Sequence, residues 1–420
     1  MASVLPPPGT ADILPEESVV WRWIEGVAAE TFPLYGYGEI RTPILEFTEL
    51  FQRGIGGETD IVKKEMYTFT DKGGRSLTLR PEGTAGVMRA LSGEIAGGNP
   101  RKVYYIGPMF RGERPAAGRR RQFHQIGVED AGSDSPAADA ESIAMIARFL
   151  DALGISGYRI LVNTRGSSED AARAADILQE RLQSVAGDLC GDCRDRMSRN
   201  PWRVLDCKNP QCRSAVDTLP DITDSFSEES KQRFDKVKKH LDAFGVRYEV
   251  APRLVRGLDY YAHTVFEVVH SGLGAQDALA GGGRYEVPVP GVKKPVRGVG
   301  FAIGVERLVM ALESLSVELP SPPPPDAYLV SLGEDALAAN LSLAETLRNA
   351  GFSVVASMEP KSMKAQMRAA GKTSAPFALI LGDDELRRGV VVCKDMRSSE
   401  QSEVQKEDVA QFLSRELAPA

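Results

Sequence analysis

Apolar residues recur at helical spacing over 16–34, directly behind Pro15, which predicts an amphipathic helix. Short apolar and β-branched stretches divided by turn residues follow at 39–43, 66–70, 76–80, 102–109 and 122–129, and predict strands of an antiparallel sheet. A helix over 138–153 and a strand over 158–163 come next. From about Ser167 to Glu249 the pattern becomes charged and helical, and the strand-and-glycine pattern resumes at Leu254. The middle stretch therefore reads as an insertion into the first domain. The segment ELPSPPPPD over 318–326 cannot continue a helix and predicts an extended linker. Beyond it, strands over 327–331, 352–356, 378–381 and 390–394 alternate with helices over 335–350, 361–371 and 406–417, which predicts a small α/β domain with a largely parallel sheet. The chain divides accordingly into a core in two parts (1–166 and 250–317), an insertion (167–249), the linker (318–326) and a C-terminal domain (327–420).

At 420 residues the chain exceeds one compact core, and its 42% hydrophobic and 26% charged residues are ordinary for a globular protein. No apolar run approaches membrane-spanning length, and the start MASVLPPPGTADILPEE lacks a basic region followed by an apolar stretch, so a cytoplasmic protein with no membrane partner is expected. The net charge of −7 means that a polyanion must be met by local basic clusters, such as Arg111 to Arg121, Lys63 with Lys64, and Lys361 to Lys372.

Five stretches carry candidate chemistry. TLRPEGT over 78–84 runs a strand into a proline turn that presents Glu82 and Thr84, a carboxylate and hydroxyl suited to an ammonium group. An ordinary strand-turn explains it equally well. YYIGPMFRGERPAAGRRRQFHQIGVE over 104–129 is two strands flanking an arginine-rich loop. Its converging guanidinium groups, with few opposite charges nearby, suit a triphosphate, and Phe123 suits stacking on adenine. Strand alternation puts His124 on the opposite side from Phe123 and Gln125, which argues against a catalytic role. LVRGLDYYAHTVFEV over 254–268 sets Arg256 and Asp259 among apolar residues, and an arginine there needs an anionic partner. His263 reads as structural. Three consecutive glycines in LAGGGRY over 279–285 permit close backbone approach to a ligand, although a flexible loop is the commoner explanation. GVGFAIGVERLVMAL over 298–312 enters a helix through Gly304, with Arg307 in its first turn. The chain has no GxxxxGK[ST] loop and no well-formed GxGxxG behind a strand, which argues against P-loop and Rossmann nucleotide binding.

Taken in this order, the five stretches resemble class II aminoacyl-tRNA synthetases. GYGEIRTPILE looks like motif 1, with Pro43 as its proline at the dimer interface; FRGERPAAGRRRQFHQIG looks like motif 2 and GVGFAIGVERL like motif 3. LVRGLDYY and GGGRY are similar to the histidine-specific signatures of histidyl-tRNA synthetases, and the likeness extends over nearly the whole chain. The resemblance implies an antiparallel catalytic core with a mostly helical insertion and a C-terminal anticodon-binding domain. It implies a homodimer that joins L-histidine to its tRNA using ATP and Mg²⁺. It further implies that Arg111 binds the α-phosphate, Arg121 the distal phosphates, and that Phe123 and Arg307 sandwich adenine. Glu82, Thr84 and Gln125 would hold the α-amino group of histidine, and Glu129, Tyr261 and Tyr285 the imidazole. Arg256 would sit over the α-phosphate and the attacking carboxylate. A pocket that pairs both imidazole nitrogens rejects apolar isosteres without editing, so no editing domain is expected.

This chain departs from the pattern at Ala116, where bacterial members commonly have a glutamine that reads the tRNA acceptor end, at Glu286-Val287-Pro288, and at His263. Two alternatives stay open: a synthetase paralogue that regulates ATP phosphoribosyltransferase, and a glycyl, prolyl or threonyl synthetase. Of the five cysteines, Cys393 sits in an apolar run. Cys190, Cys193, Cys207 and Cys212 form C-x₂-C and C-x₄-C pairs thirteen residues apart, which approximates a structural zinc site whose second knuckle is long. Reduced thiols in a small insertion are favoured over zinc.

Overall fold

The structure, a computed structural model, describes residues 5–57, 59–258, 260–274, 277–359 and 361–418. Asp259 lies outside these residues. The chain forms two compact units, Met1–Pro320 and Ser321–Ala420, whose boundary falls within the proline-rich stretch.

The first unit is built on an eight-stranded sheet. Its strands run Gly38–Glu39, Arg101–Phe110, Gln122–Ala131, Val296–Gly304, Ala278–Val287, Tyr261–Val269, Arg159–Thr164 and Glu249–Val250. The six inner strands pair antiparallel and the two short edge strands pair parallel. Alternation gives the sheet two different faces. In Gln122–Ala131, Ile126 and Val128 join the main core with Phe32, Phe149, Phe266, Phe301 and Leu308. Helices Pro15–Thr31, Pro136–Ala152, Glu228–Ala243 and Val305–Ser314 supply the other side of that core. Gln125, Gly127 and Glu129 therefore face the other way, toward a second cluster containing Tyr105, Tyr260, Tyr261 and Tyr285.

Two elements close that second face. Helix Thr84–Ala96 is not evident from the sequence pattern, because Gly86 and Gly93 weaken its propensity. It is instead anchored by burial of Val87, Met88 and Leu91. A three-stranded sheet, ordered Leu45–Phe47, Ser76–Leu79, Tyr67–Thr70, adds a strand that the sequence pattern also hides.

Between residues 167 and 249 four helices occur. Ser168–Gln183 begins with a capping box between Ser167 and Asp170. With Gly191–Arg199 and Pro210–Asp217 it encloses a separate core of Leu178, Leu182, Met197, Trp202, Val216 and the cysteines. The fourth helix, Glu228–Ala243, sends Phe234, Val237 and Leu241 into the main core instead.

The second unit has a five-stranded sheet in the order Val354–Ala356, Ala327–Ser331, Phe377–Leu381, Val390–Asp395, Gln401–Gln405. The first three strands are parallel and the last two antiparallel, so the sheet is mixed rather than largely parallel. The difference comes from Gln401–Gln405, a polar edge strand without apolar alternation, and from the six-residue helix Asp383–Arg388. Among the described residues, no helix is long and apolar enough to cross a membrane.

Candidate active site

A cavity of about 180 Å³ opens on the second face of the large sheet, and its walls come from segments far apart in sequence. Glu82, Thr84, Arg111, Phe123, Gln125, Glu129, Arg256, Tyr261, Tyr285 and Arg307 all line it. Arg121 does not. Its Nε donates to the Glu113 carbonyl at 3.2 Å and its Nη1 to the Pro8 carbonyl at 3.4 Å, while its stem packs on Gly9. Arg119 and Arg120 line the cavity where Arg121 was expected.

Glycines make the floor. Gly300 pairs across the sheet with Glu129, and Gly298 with Tyr285. A Cβ at Gly300 would overlap the Glu129 carboxylate, and one at Gly298 would approach the Tyr285 hydroxyl to 2.6 Å. Gly281, the first of three consecutive glycines, leaves room for the Arg256 guanidinium, which a Cβ there would overlap. These glycines provide space, and GGGRY is a strand rather than a flexible loop.

One end of the cavity is acidic and phenolic. Glu82 accepts the Thr84 amide at 2.7 Å and the Ala85 amide at 2.9 Å, so it caps helix Thr84–Ala96. Burial raises its pKa and these amide bonds oppose the rise. Thr84 Oγ1 donates to Glu129 Oε1 at 2.7 Å. Glu129 is 1% exposed, and burial pushes its carboxyl up to about 8, with the Thr84 and Tyr285 hydroxyls opposing. The Tyr285 hydroxyl influences that carboxyl, yet its geometry completes no hydrogen bond. Glu129 Oε2, Tyr285 Oη, Tyr105 Oη and Gln125 Oε1 are all buried without a partner. Buried polar atoms are rarely left so, and a cluster of them facing one cavity is the signature of a ligand site.

The other end is cationic. The Arg111 guanidinium lies 5.1 Å from the Phe123 ring centre, and its Nε donates to the Pro81 carbonyl at 2.8 Å. Arg307 Nε donates to the Gly118 carbonyl at 3.1 Å, and Nη1 to the Ala278 carbonyl. Burial lowers the Arg307 pKa, as do Arg119 and Arg111 nearby. Phe123, Gln125 and Glu129 share one face of one strand and span about 20 Å of it at about 3.4 Å per residue.

Arg256 is the half-buried arginine whose anionic partner the sequence left unnamed. It forms an ion pair with Glu267 on strand Tyr261–Val269. Burial opposes its charge, but Glu267 and Tyr261 outweigh that and raise its pKa. Glu267, Tyr105 and Tyr260 were not singled out from sequence. Glu267 carried a readable signal, a carboxylate inside the apolar run TVFEVV.

Both discounted histidines lie elsewhere. His124 bonds through its amide (3.1 and 3.0 Å) and through Nδ1 (3.2 Å) to Glu306, and packs edge-on to Trp21 at 4.8 Å. His263 has a φ of 54°, and burial followed by Arg233 and Arg284 depresses its pKa to about 4. Behind Tyr285, Arg284 points away from the cavity. It binds Asp139 through Nε at 2.9 Å, and the Ser133 and Ser135 carbonyls at 2.6 and 2.9 Å.

A largely antiparallel sheet bearing motifs 1, 2 and 3 in this order, with a carboxylate end and a guanidinium end on one glycine floor, is the catalytic fold of class II aminoacyl-tRNA synthetases. The family model for histidyl-tRNA synthetase matches residues 9–192 and 208–308, and a model for the anticodon binding domain matches 326–416. The histidine–tRNA ligase of Halothermothrix orenii is 49% identical over 401 residues, covering 95% of this chain and 96% of its own. That of a Geobacillus species is 46% identical over 418 residues, covering 98% and 99%. The crystal structure of apo Staphylococcus aureus histidyl-tRNA synthetase superposes with a TM-score of 0.79 at 36% identity, covering 98% of this chain and all of that one. The chain belongs to the histidyl-tRNA synthetase family.

Proposed function

We propose that the chain activates L-histidine with ATP, forming histidyl-adenylate and pyrophosphate, and then transfers histidine to the 3′ end of its tRNA. The observation that carries this reading is the single cavity. Unpartnered Glu129, Tyr285 and Gln125 atoms stand at one end, Arg111 and Arg307 at the other, and Arg256 lines the same walls. Glu82, Thr84 and Gln125 bind the α-amino group, and Glu129, Tyr261 and Tyr285 the imidazole. Phe123 and Arg307 hold adenine between them.

The histidine carboxylate attacks the α-phosphorus in line and pyrophosphate departs. The protein supplies position and charge, and no protein nucleophile is needed. Arg111 and Arg256 meet the negative charge that develops around the α-phosphate, and Glu267 fixes the Arg256 guanidinium in place. Arg121 binds the distal phosphates, a role that requires its guanidinium to leave the Glu113 and Pro8 carbonyls. Glu113 and Glu306 line the same cavity and are the carboxylates that would hold Mg²⁺, beside their present partners Arg119 and His124. Mg²⁺ held there would neutralise pyrophosphate charge. In the second half-reaction the terminal adenosine hydroxyl attacks the adenylate carbonyl, the mixed-anhydride bond to phosphate breaks, and AMP departs with the hydroxyl proton released. The second unit grips the anticodon, with Lys361, Lys364 and Lys372 as candidates for backbone contact. We further propose a cytoplasmic homodimer.

Arg256→Ala tests the catalytic assignment. Losing one preorganised donor to developing charge costs about 10²–10³ in rate. Histidine-dependent ATP–pyrophosphate exchange should fall by that factor, and exchange near the normal rate would remove Arg256 from the mechanism.

A further inference from the structure

We propose that Cys190, Cys193, Cys207 and Cys212 form a structural zinc site that clasps the insertion, a reversal of the preference for free thiols. The spacing argument against zinc was the long C-x₄-C knuckle, and the fold removes it. Asn209 and Pro210 start helix Pro210–Asp217 between Cys207 and Cys212, which turns the chain so that both sulfurs face the first pair. All four Sγ atoms lie within 4.8 Å of one another, and Cys190 and Cys207 are 4.0 Å apart. A tetrahedral site with Zn–S bonds of about 2.3 Å has S···S edges of about 3.8 Å, so closure needs adjustments under about 1 Å. A disulfide would need a separation of about 2 Å, which no closing of two sulfurs gives without abandoning the other two.

Two helix starts frame the quartet. Cys190 caps helix Gly191–Arg199 and Cys193 lies in its first turn, while Cys212 lies in the first turn of Pro210–Asp217. Both knuckles thus sit at positive helix ends. The Cys190 amide also donates to Cys212 Sγ at 3.1 Å. Cys193, Cys207 and Cys212 are buried and Cys190 is half-buried, so a metal would be shielded on most sides, as in closed four-coordinate sites. The three helices share a small core of their own, separate from the main one, and small modules of that kind commonly rely on a metal or disulfides.

The clasp would act on residues 194–206, the segment between the pairs, which completes helix Gly191–Arg199 and adds the short 3-10 helix Pro201–Val204. This segment lies in the one stretch of 9–308 that the family model leaves unmatched. It brings Arg196, Arg199 and Arg203 to a cavity of about 380 Å³ shared with Lys63, Lys64 and Gly257, the neighbour of Arg256.

The test is metal analysis of the full chain, purified without an affinity tag under reducing conditions. About one zinc per chain is expected, dropping below about 0.2 in Cys193→Ser/Cys212→Ser and unchanged in Cys393→Ser. If the double variant does not fold, alkylation of the wild-type chain decides: four of its five thiols should react only after a chelator strips the metal. Zinc below about 0.2 per chain, both as isolated and after dialysis against Zn²⁺, overturns the proposal. So does a disulfide within the quartet, or thiol reactivity indifferent to the chelator.

Discussion

Replacing Glu129 by glutamine separates what this side chain costs the fold from what it does for the ligand. Burial holds its carboxyl at about 8 against an ordinary 4.5, with Thr84 and Tyr285 opposing the rise and Glu82 adding to it. The folded chain therefore keeps the proton up to about pH 8, whereas the unfolded chain releases it near 4.5. Between those values the folded state binds more protons, so stability declines as pH rises and levels off above 8. At about 1.4 kcal/mol per pH unit, the loss between roughly pH 6 and pH 9 is at most about 3 kcal/mol. Water in the open cavity reduces it, leaving about 1–3 kcal/mol. Glu129→Gln lacks this term, so the ligand-free variant should gain stability over wild type by that amount as pH rises from 6 to 9. Its catalysis should suffer, because a bound imidazole can take the Glu129 proton and form a charge-assisted pair, which glutamine cannot; about 10- to 100-fold in kcat/KM for histidine is expected. Thermal unfolding at both pH values and pyrophosphate exchange measure the two effects. A stability difference that does not change with pH, together with an unaltered KM for histidine, would refute the reasoning.

Gly300→Ala puts a methyl onto the Glu129 carboxylate and the Val128 carbonyl, so it should cost about 1–3 kcal/mol of stability and at least tenfold in exchange, read by the same two assays. Arg284→Met strands the buried Asp139 carboxylate and should destabilise by about 3–5 kcal/mol, with Asp139→Asn in the same chain recovering part of the loss in a melting experiment. Ending the chain after Pro320 should leave histidine-dependent exchange within a few-fold of normal, while tRNA charging falls by roughly 10²-fold or more as the second contact to tRNA is lost.

Much of the sheet could be read from the chain because strand alternation is local. Phe123, Gln125 and Glu129 share one parity, and that parity alone puts His124 behind the sheet with Glu306. What could not be read depends on contacts between distant segments. Helix Thr84–Ala96 owes its start to Glu82 and its burial to strands far along the chain, and its own residues do not favour helix strongly enough to show it. Arg121 is held by Gly9 and Pro8, more than a hundred residues earlier, and no spacing rule reveals that. The role of the glycines at 281, 298 and 300 becomes visible only when their neighbours in space are known: Gly298 and Gly300 lie opposite Tyr285 and Glu129, and Gly281 lies against the Arg256 guanidinium. Glu267 shows locally only as a carboxylate inside an apolar run, and its partner Arg256, eleven residues earlier, is fixed by the fold.

The measurement that bears most directly on a cavity built for histidine and ATP is pyrophosphate exchange by the purified chain across a panel of amino acids. The account predicts exchange with histidine and rates lower by about 10⁴-fold with the others, since a site that pairs both imidazole nitrogens leaves its own polar groups unpaired with any other side chain. Exchange driven by glycine, proline or threonine and not by histidine, or no exchange with any amino acid, would contradict it.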